Sequence, residues 1–537
     1  MQPGIPSIKN KQVTIDHFKG LCLRSIVPNG YFSDSENLSA SGYPALTTRS
    51  PRSTVNDCSA ITDMYLHNRM MWVESDKLYY ADREVGAVSP GRKQFASIGS
   101  RVVIYPDKLL VDTETFSLSP LEQVFEGTGV AVFSCDRSGA PGAETGYVGL
   151  AYTGIGTGFR AGDGVDITGF TAEEGLNGSY VLQTVSADLL VIVAEADEGF
   201  TASGEITVSR SAPDLDFICA LNNRVWGVSS AENVLYACKL GDPTNWNCFE
   251  GISTDSYAAS VTSPGAFTGM TGNLGNVILF KENEIIKVYG SKPSNFQLVS
   301  SRMPGICTGG ARTLAYTDST LFYLGSNGIY AYDGASPVMI SEALGNTSFS
   351  AGCAGALDGK YYISMKRTSD NTWGLYVYDA QTGIWQKENG GNVRFIAETG
   401  SNLFIGLPDG NINSVHNGPM WYSLIPQLPV RLSLIEHRFS WYAVSGAVSL
   451  CVPNRQYISH LYLRLSLSSL ATLSVSVRYP GNGLWTEIGS FTGPLSESTV
   501  ALSIVPKRTD SLYLKLSGVD ECAIHSLTWG YAEGSDF

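Results

Sequence analysis

A chain that does covalent or metal chemistry must bring nucleophiles, bases or ligands together, and residue spacing is the first place to look. The ten cysteines are Cys22, Cys58, Cys135, Cys219, Cys238, Cys248, Cys307, Cys353, Cys451 and Cys522. No two stand at C-x-x-C spacing, so no tight zinc site is expected. Most lie among apolar neighbours, as in Phe217-Ile218-Cys219-Ala220, the setting of buried free thiols in a reducing compartment. The six histidines, His17, His67, His416, His437, His460 and His525, are scattered, with no spacing that puts two on one metal. His460 and His525 fall on alternating segments and read as sheet histidines rather than ligands or bases.

No phosphate loop, dinucleotide fingerprint, H-E-x-x-H or G-x-S-x-G is present. Gly154-Ile155-Gly156-Thr157-Gly158 has no helical pattern after it and reads as a turn. A glycosidase needs only two carboxylates, and these are plentiful. Ser369-Asp370-Asn371-Thr372-Trp373 is similar to the aspartate box of sialidase-type propellers. It lacks the glycine, is compressed and occurs once, so it is expected to be a hairpin loop. Sialidase-type catalysis also needs three arginines converging on a carboxylate, and the scattered arginines give no support for that. No catalytic, cofactor-binding or metal-binding residue is therefore assigned, no cofactor is expected, and the chain is read as not an enzyme. One side chain stands out for binding. Trp485, after the turn Gly481-Asn482-Gly483, is placed to stack on a sugar ring; covering a sandwich edge is the plainer reading.

The elements that would carry such residues are strands. Hydrophobic residues make up 43% of 537, enough for several buried cores, while only 16% are charged. The deficit is filled by 57 glycines and many small polar residues, with 27 tyrosines and 21 phenylalanines. That mixture suits short strands and tight turns, not exposed helices. The net charge of −14 argues against gripping nucleic acid, which needs clustered Lys and Arg. It is compatible with lining a conduit through which DNA slides. Met1-Gln2-Pro3-Gly4-Ile5 has no apolar core of a signal peptide, and no run approaches the roughly 18 apolar residues of a membrane span. Synthesis in the cytoplasm is expected.

The strongest pattern is a repeat of about 40 to 50 residues, each unit an aromatic strand, a turn and a second strand. Arg69–Val73 leads to Lys77–Ala81, Arg101–Tyr105 to Lys108–Asp112, and Arg224–Val228 to Asn233–Ala237. Asn276–Phe280 leads to Glu284–Tyr289, Thr320–Leu324 to Gly328–Tyr332, Lys360–Ser364 to Gly374–Tyr378, and Asn402–Gly406 to Asn411–Val415. Ser326-Asn327-Gly328 and Pro408-Asp409-Gly410 carry the turn chemistry of hairpins. One hairpin cannot bury its apolar face alone, whereas four-stranded units repeated radially can. The expected fold is all-β: a β-propeller of six or seven blades, with an inserted small β-domain and a C-terminal, jelly-roll-like β-sandwich. An N-terminal strand is a candidate to complete the last blade. The expected organisation is an extended arm over 1–55, with its prolines, and the first part of the propeller over 56–121. A small β-sandwich or barrel is inserted at 122–212, Gly-rich and nearly free of Lys and Arg. The propeller resumes over 213–429, and the sandwich covers 430–537, where segments such as Leu473–Tyr479 and Ser511–Leu516 alternate with period two.

Three stretches together resemble the propeller-based nozzle or hub proteins of tailed-phage virions, including packaged-DNA stabilisation proteins. They are Tyr43-Pro44-Ala45-Leu46 through Arg49-Ser50-Pro51-Arg52; Asn223-Arg224-Val225-Trp226 through Gly241-Asp242-Pro243-Thr244-Asn245-Trp246; and Val505-Pro506-Lys507-Arg508 through Trp529-Gly530-Tyr531 to Asp536. The resemblance covers about three quarters of the chain and excludes the insert at 122–212. It implies a structural virion protein of the tail, forming a homo-oligomeric ring, typically a hexamer, below the portal and adaptor. It implies other tail proteins (adaptor, fibre or needle) as partners, and double-stranded DNA that is retained and then passed without specific binding. It carries over no catalytic residue. The alternatives are a tail-associated protein that recognises host glycan through Trp485, and a propeller polysaccharide hydrolase.

Overall fold

The computed structural model describes residues 10–532 apart from 56–59, 82, 143–145, 197, 274, 399–401, 416–433, 437, 450–455, 482, 506 and 510. The regular structure is nearly all strand, and the chain belongs to the all-β propeller class. Contact density separates two units, His67–Ile306 and Met1–Leu66 with Cys307–Phe537.

In the first of these, successive four-stranded antiparallel meanders follow the chain. The division falls inside Ile61–His67, the strand that opens the meander continued by Arg69–Glu74, Lys77–Tyr80 and Arg83–Ala87. The next runs Gln94–Ile98, Arg101–Tyr105, Leu109–Asp112 and Ser117–Pro120. After a long excursion come Phe217–Leu221, Arg224–Ser229, Val234–Ala237 and Tyr257–Ser260, then Gly269–Asn273, Asn276–Lys281, Glu284–Tyr289 and Gln297–Ser301. Each hairpin read from the sequence is the middle pair of a meander. The reason is burial on both faces: Arg224–Ser229 is buried at every position, so its residues run apolar without alternation. Val228 and Leu235 of one meander pack against Met270, Leu279 and Ile286 of the next. The turn Asn222-Asn223 places both asparagines at positive φ, 52° and 57°, as a two-residue hairpin requires.

The excursion is a separate β-module. One sheet orders Gln123–Thr128, Glu205–Arg210, Gly164–Thr168 and Gly178–Val181. The other orders Thr184–Ser186, Leu189–Val193, Tyr147–Ala151, Ala131–Cys135 and Phe200–Thr201. The two share one apolar core that includes Val132, Leu150, Val165, Ile167, Leu190 and Val208. The entry and exit strands pair, Gln123 opposite Arg210, so the module leaves and rejoins the chain at one place.

The other unit holds Ala315–Thr317, Thr320–Gly325, Gly328–Tyr332 and Val338–Met339, then Phe349–Leu357, Lys360–Arg367, Trp373–Asp379 and Ile384–Glu388. Phe322 and Ile329 of the first pack with Tyr361, Ile363 and Trp385 of the second. The last meander, Phe395–Glu398, Leu403–Gly406 and Ile412–Ser414, takes its fourth strand, Ser53–Val55, from the N-terminal segment, with Leu434–Ile435 beyond it.

The C-terminal sandwich belongs to the same unit. Its first sheet orders Leu38–Ser39, Leu46–Thr48, Cys522–Ala532, Gln456–Leu467 and Leu495–Ser503, with Asn10–Ile15 also on Cys522–Ala532. Its second orders Gly20–Leu21, Tyr31–Glu36, Ser440–Ser445, Ser511–Val519, Thr472–Arg478 and Thr486–Thr492. From Gln456 onward the chain passes back and forth between the sheets in jelly-roll fashion. Leu463, Leu473, Val475, Leu514, Leu516 and Trp529 fill the space between them. The described part of the segment read as an arm, from residue 10 on, thus gives strands to sheets of its own chain. Among the described residues no helix is long and apolar enough to cross a membrane.

Candidate functional site

The N-terminal segment supplies the most elaborate polar structure. Arg49 and Arg52 flank the two prolyl and seryl residues that lead into Ser53–Val55, and both are buried. Arg49 holds Glu436 through two bonds, Nη1 to Oε2 at 2.7 Å and Nη2 to Oε1 at 2.9 Å. Its Nε donates to Asn37 Oδ1 at 2.9 Å, and its guanidinium lies 4.4 Å from the Phe439 ring centre. Arg52 pairs with Glu388 and donates to the Asn389 carbonyl at 3.1 Å. The Arg52 and Glu388 side chains are only 2% and 8% exposed, so each charge depends on the other. Burial pushes the Glu436 carboxyl up, but the Arg49 guanidinium outweighs this and holds it below the usual value.

Beside this network lies a cleft of about 350 Å³ lined by Arg49, Arg52, Lys360, Asp358, Asp379 and Glu388 among others. It is the kind of polar concavity that often takes a ligand. Its charges already have partners. Lys360 Nζ donates to Ser41 Oγ at 2.6 Å, and Asp379 Oδ1 accepts from the backbone of Gln381 and Thr382 at 3.1 and 2.9 Å. The chemistry here is that of a structural clamp.

A second cluster surrounds Gly241-Asp242-Pro243-Thr244-Asn245-Trp246. Asp242 Oδ1 caps the turn, accepting from Thr244 N and Oγ1 at 3.2 and 2.8 Å. Trp246 Nε1 closes it on the Pro243 carbonyl at 2.9 Å. Asn245, fully buried, reaches into the inserted module. Its Nδ2 donates to the Gly162 carbonyl at 2.6 Å and its Oδ1 accepts from Gly164 N at 3.1 Å. Asn247 Nδ2 bonds both Asp166 oxygens at 3.1 Å. Gly164 has no alternative here, because a Cβ would collide with the Asn247 carbonyl. The motif therefore docks the insert onto its meander.

Next to it, Cys248, Glu250 and Asp255 offer ligand atoms within 4.8 Å of one another, a spacing that suits one cation. Lys239 already supplies a positive charge there, its Nζ 3.2 Å from Cys248 Sγ and 4.0 Å from Glu250 Oε2. Asp255 Oδ2 is spent on the backbone N–H groups of Glu250, Gly251 and Ile252, at 2.8, 2.6 and 3.0 Å. Burial raises the Cys248 thiol, with Lys239 pulling the other way, so it rests as a protonated thiol at neutral pH.

Trp485 lies half-buried just before Thr486–Thr492, at the edge of the second sandwich sheet. The Arg478 guanidinium sits 4.9 Å from its ring centre and 4.6 Å from that of Tyr513. Arg478 and Tyr513 are direct cross-strand partners. The indole thus gives a face to a cation, a contact for which the sequence held no signal beyond Arg478 ending an alternating strand.

The remaining residues of interest lie apart. Asp370 caps the turn between Lys360–Arg367 and Trp373–Asp379, accepting from Thr372 N at 3.1 Å and pairing with Arg367 at 3.3 Å. His17 sits on Asp16, and His460 stacks on Tyr462. Cys22, Cys238, Cys248 and Cys522 are buried free thiols. His416, His437, Cys58 and Cys451 lie outside the described residues.

No family model and no curated protein matches the chain. Among solved structures, BamB from Moraxella catarrhalis is 10% identical at a TM-score of 0.33, covering 68% of this chain and 96% of that one. Hsv2 of Kluyveromyces lactis is 9% identical at 0.28, covering 58% and 92%. The phage phi92 endosialidase is 10% identical at 0.24, covering 72% and 69%. Likenesses this remote identify no relative.

Proposed function

We propose that this chain is a non-catalytic structural protein of a tailed-phage virion. In this reading it is a nozzle or hub subunit that assembles as a ring, with six copies expected, below the portal and adaptor. It would meet adaptor and fibre or needle proteins and retain packaged DNA until ejection. One observation carries the reading: the N-terminal segment is divided among three sheets. It gives strands to both sheets of the sandwich and the fourth strand to the last meander. Pairings such as Val13 with Trp529 and Asn413 with Thr54 join residues hundreds of positions apart. Such pairing ties the N-terminal segment into sheets shared with distant strands and resists fraying, which suits a component under load. The net charge of −14 fits a surface along which DNA passes without adhering.

The deciding experiment is native mass measurement and negative-stain imaging of the purified chain, alone and with its companion tail proteins. A ring with a channel wide enough for duplex DNA is expected. A monomer that joins no particle would overturn the proposal.

A further inference from the structure

We propose that the Trp485–Arg478–Tyr513 stack on the outer face of the C-terminal sandwich binds an acidic saccharide, with the Arg478 guanidinium taking a sugar carboxylate. The inference stands apart from the virion reading and holds whether or not the chain forms a ring.

The face is defined by alternation. Leu473, Val475 and Val477 point into the core, which leaves Ser474, Ser476 and Arg478 on the outside. On the neighbouring strand Leu512, Leu514 and Leu516 point inward, leaving Tyr513, Lys515 and Ser517 outside. Register places Arg478 opposite Tyr513, Ser476 opposite Lys515 and Ser474 opposite Ser517. On the other flank Ser476 faces Glu487, and Trp485 precedes that strand on the side of Arg478.

Arg478 is unusual in how it is held. Its contacts among the described residues are the two rings, at 4.9 and 4.6 Å, with no hydrogen bond or ion pair. Glu487, on the adjoining strand, accepts from Ser474 Oγ at 2.9 Å instead. Contact with the two rings consumes no hydrogen bond and leaves the N–H edge of the guanidinium unspent. That edge is a rigid planar fork matching a carboxylate, and its ordering cost is met before any ligand arrives. A free surface arginine would not be so fixed.

The surroundings select the rest of the ligand. Hydroxyls of Ser474, Ser476 and Ser517 share the face, and a Cβ at Gly481 or Gly483 would touch nothing within 4 Å. Aromatic edges with hydroxyls beside one fixed cation suit a sugar acid. A polyphosphate or DNA calls for a larger cluster of cations than Arg478 and Lys515, the two that this face presents among the described residues, in a chain of net charge −14.

The test uses the full chain at constant physiological salt. Binding of polygalacturonate, neutral dextran, a poly(glycerol phosphate) teichoic acid and duplex DNA is measured by calorimetry. Polygalacturonate is expected to bind and dextran not to. Arg478→Gln is expected to weaken binding about ten-fold or more, the scale of a lost charge-assisted pair. Arg478→Lys should lose nearly as much, since an ammonium keeps the charge but not the fork, and it serves where the glutamine variant does not fold. Lys507→Gln, an exposed cation outside the stack, should change little. Equal binding of dextran and polygalacturonate, tighter binding of the phosphate polymer or DNA, or an unchanged Kd in both Arg478 variants would each overturn the proposal.

Discussion

Arg52 and Glu388 pose the sharpest question at the scale of single residues. Each was legible only as an isolated charge, one in a proline-containing stretch and one at the end of a strand. The fold buries them against each other. Removing one partner strands the other, so Arg52→Ala is expected to cost about 3–5 kcal/mol in urea unfolding. Replacing both by apolar residues of similar volume should recover much of that loss; equal damage from the double variant would refute the account. The Arg49–Glu436 pair adds a pH dependence. Glu436 titrates below its usual 4.5 in the folded chain, so its stabilisation is present above that value. It is lost as pH falls through the depressed folded value. Stability measured from pH 6 down to 3 should fall less in Glu436→Gln, though from a lower start. Trp485 was visible as an aromatic after a turn; the cation lying on it was not, because Arg478 meets it only through sheet register.

At the scale of elements, the inserted module and the strand Ser53–Val55 behave oppositely. The module has its own core and leaves the chain between paired residues, Gln123 and Arg210. Replacing 123–210 by a short Gly-Ser turn should leave the remaining meanders folded, as circular dichroism would report. Asn245→Ala, with the module present, should leave the Gly164 N–H unpaired and the Gly162 carbonyl held by Lys239 Nζ alone. The expected loss is about 1–3 kcal/mol. Ser53–Val55 has no such independence. It lies between Ile412–Ser414 and Leu434–Ile435, bonded on both sides. Thr54→Pro removes a donor from a central strand and should expose the edge of the last meander, giving aggregation visible by light scattering. An unchanged monodisperse product would show that the closing strand is dispensable.

For the whole molecule, the N-terminal segment decides more than its composition announces. Read alone, residues 1–55 are an irregular stretch needing some surface to lie on. In the fold that surface is the chain's own sandwich and last meander, so the segment and the C-terminal region should order together. A chain lacking the first 55 residues is expected to lose the sandwich as well as the closing strand, because Asn10–Ile15 and Leu46–Thr48 both sit on Cys522–Ala532. Limited proteolysis would read this: early cleavage throughout 440–532 is expected, and a protected sandwich would contradict it.

The amino-acid sequence by itself determined the local elements. Apolar runs bounded by Asn-Gly and Asp-Gly turns specify hairpins buried on both faces, and period-two alternation specifies sandwich strands with one wet face. These are properties of neighbours a few residues apart, and backbone geometry enforces them wherever the segment sits. Tertiary structure alone decided which strands became neighbours. Asn413 finds Thr54, Arg49 finds Glu436, and Arg478 finds Tyr513. Those meetings rest on long-range pairing and burial, whose free energy depends on partners far along the chain and leaves no local mark in either.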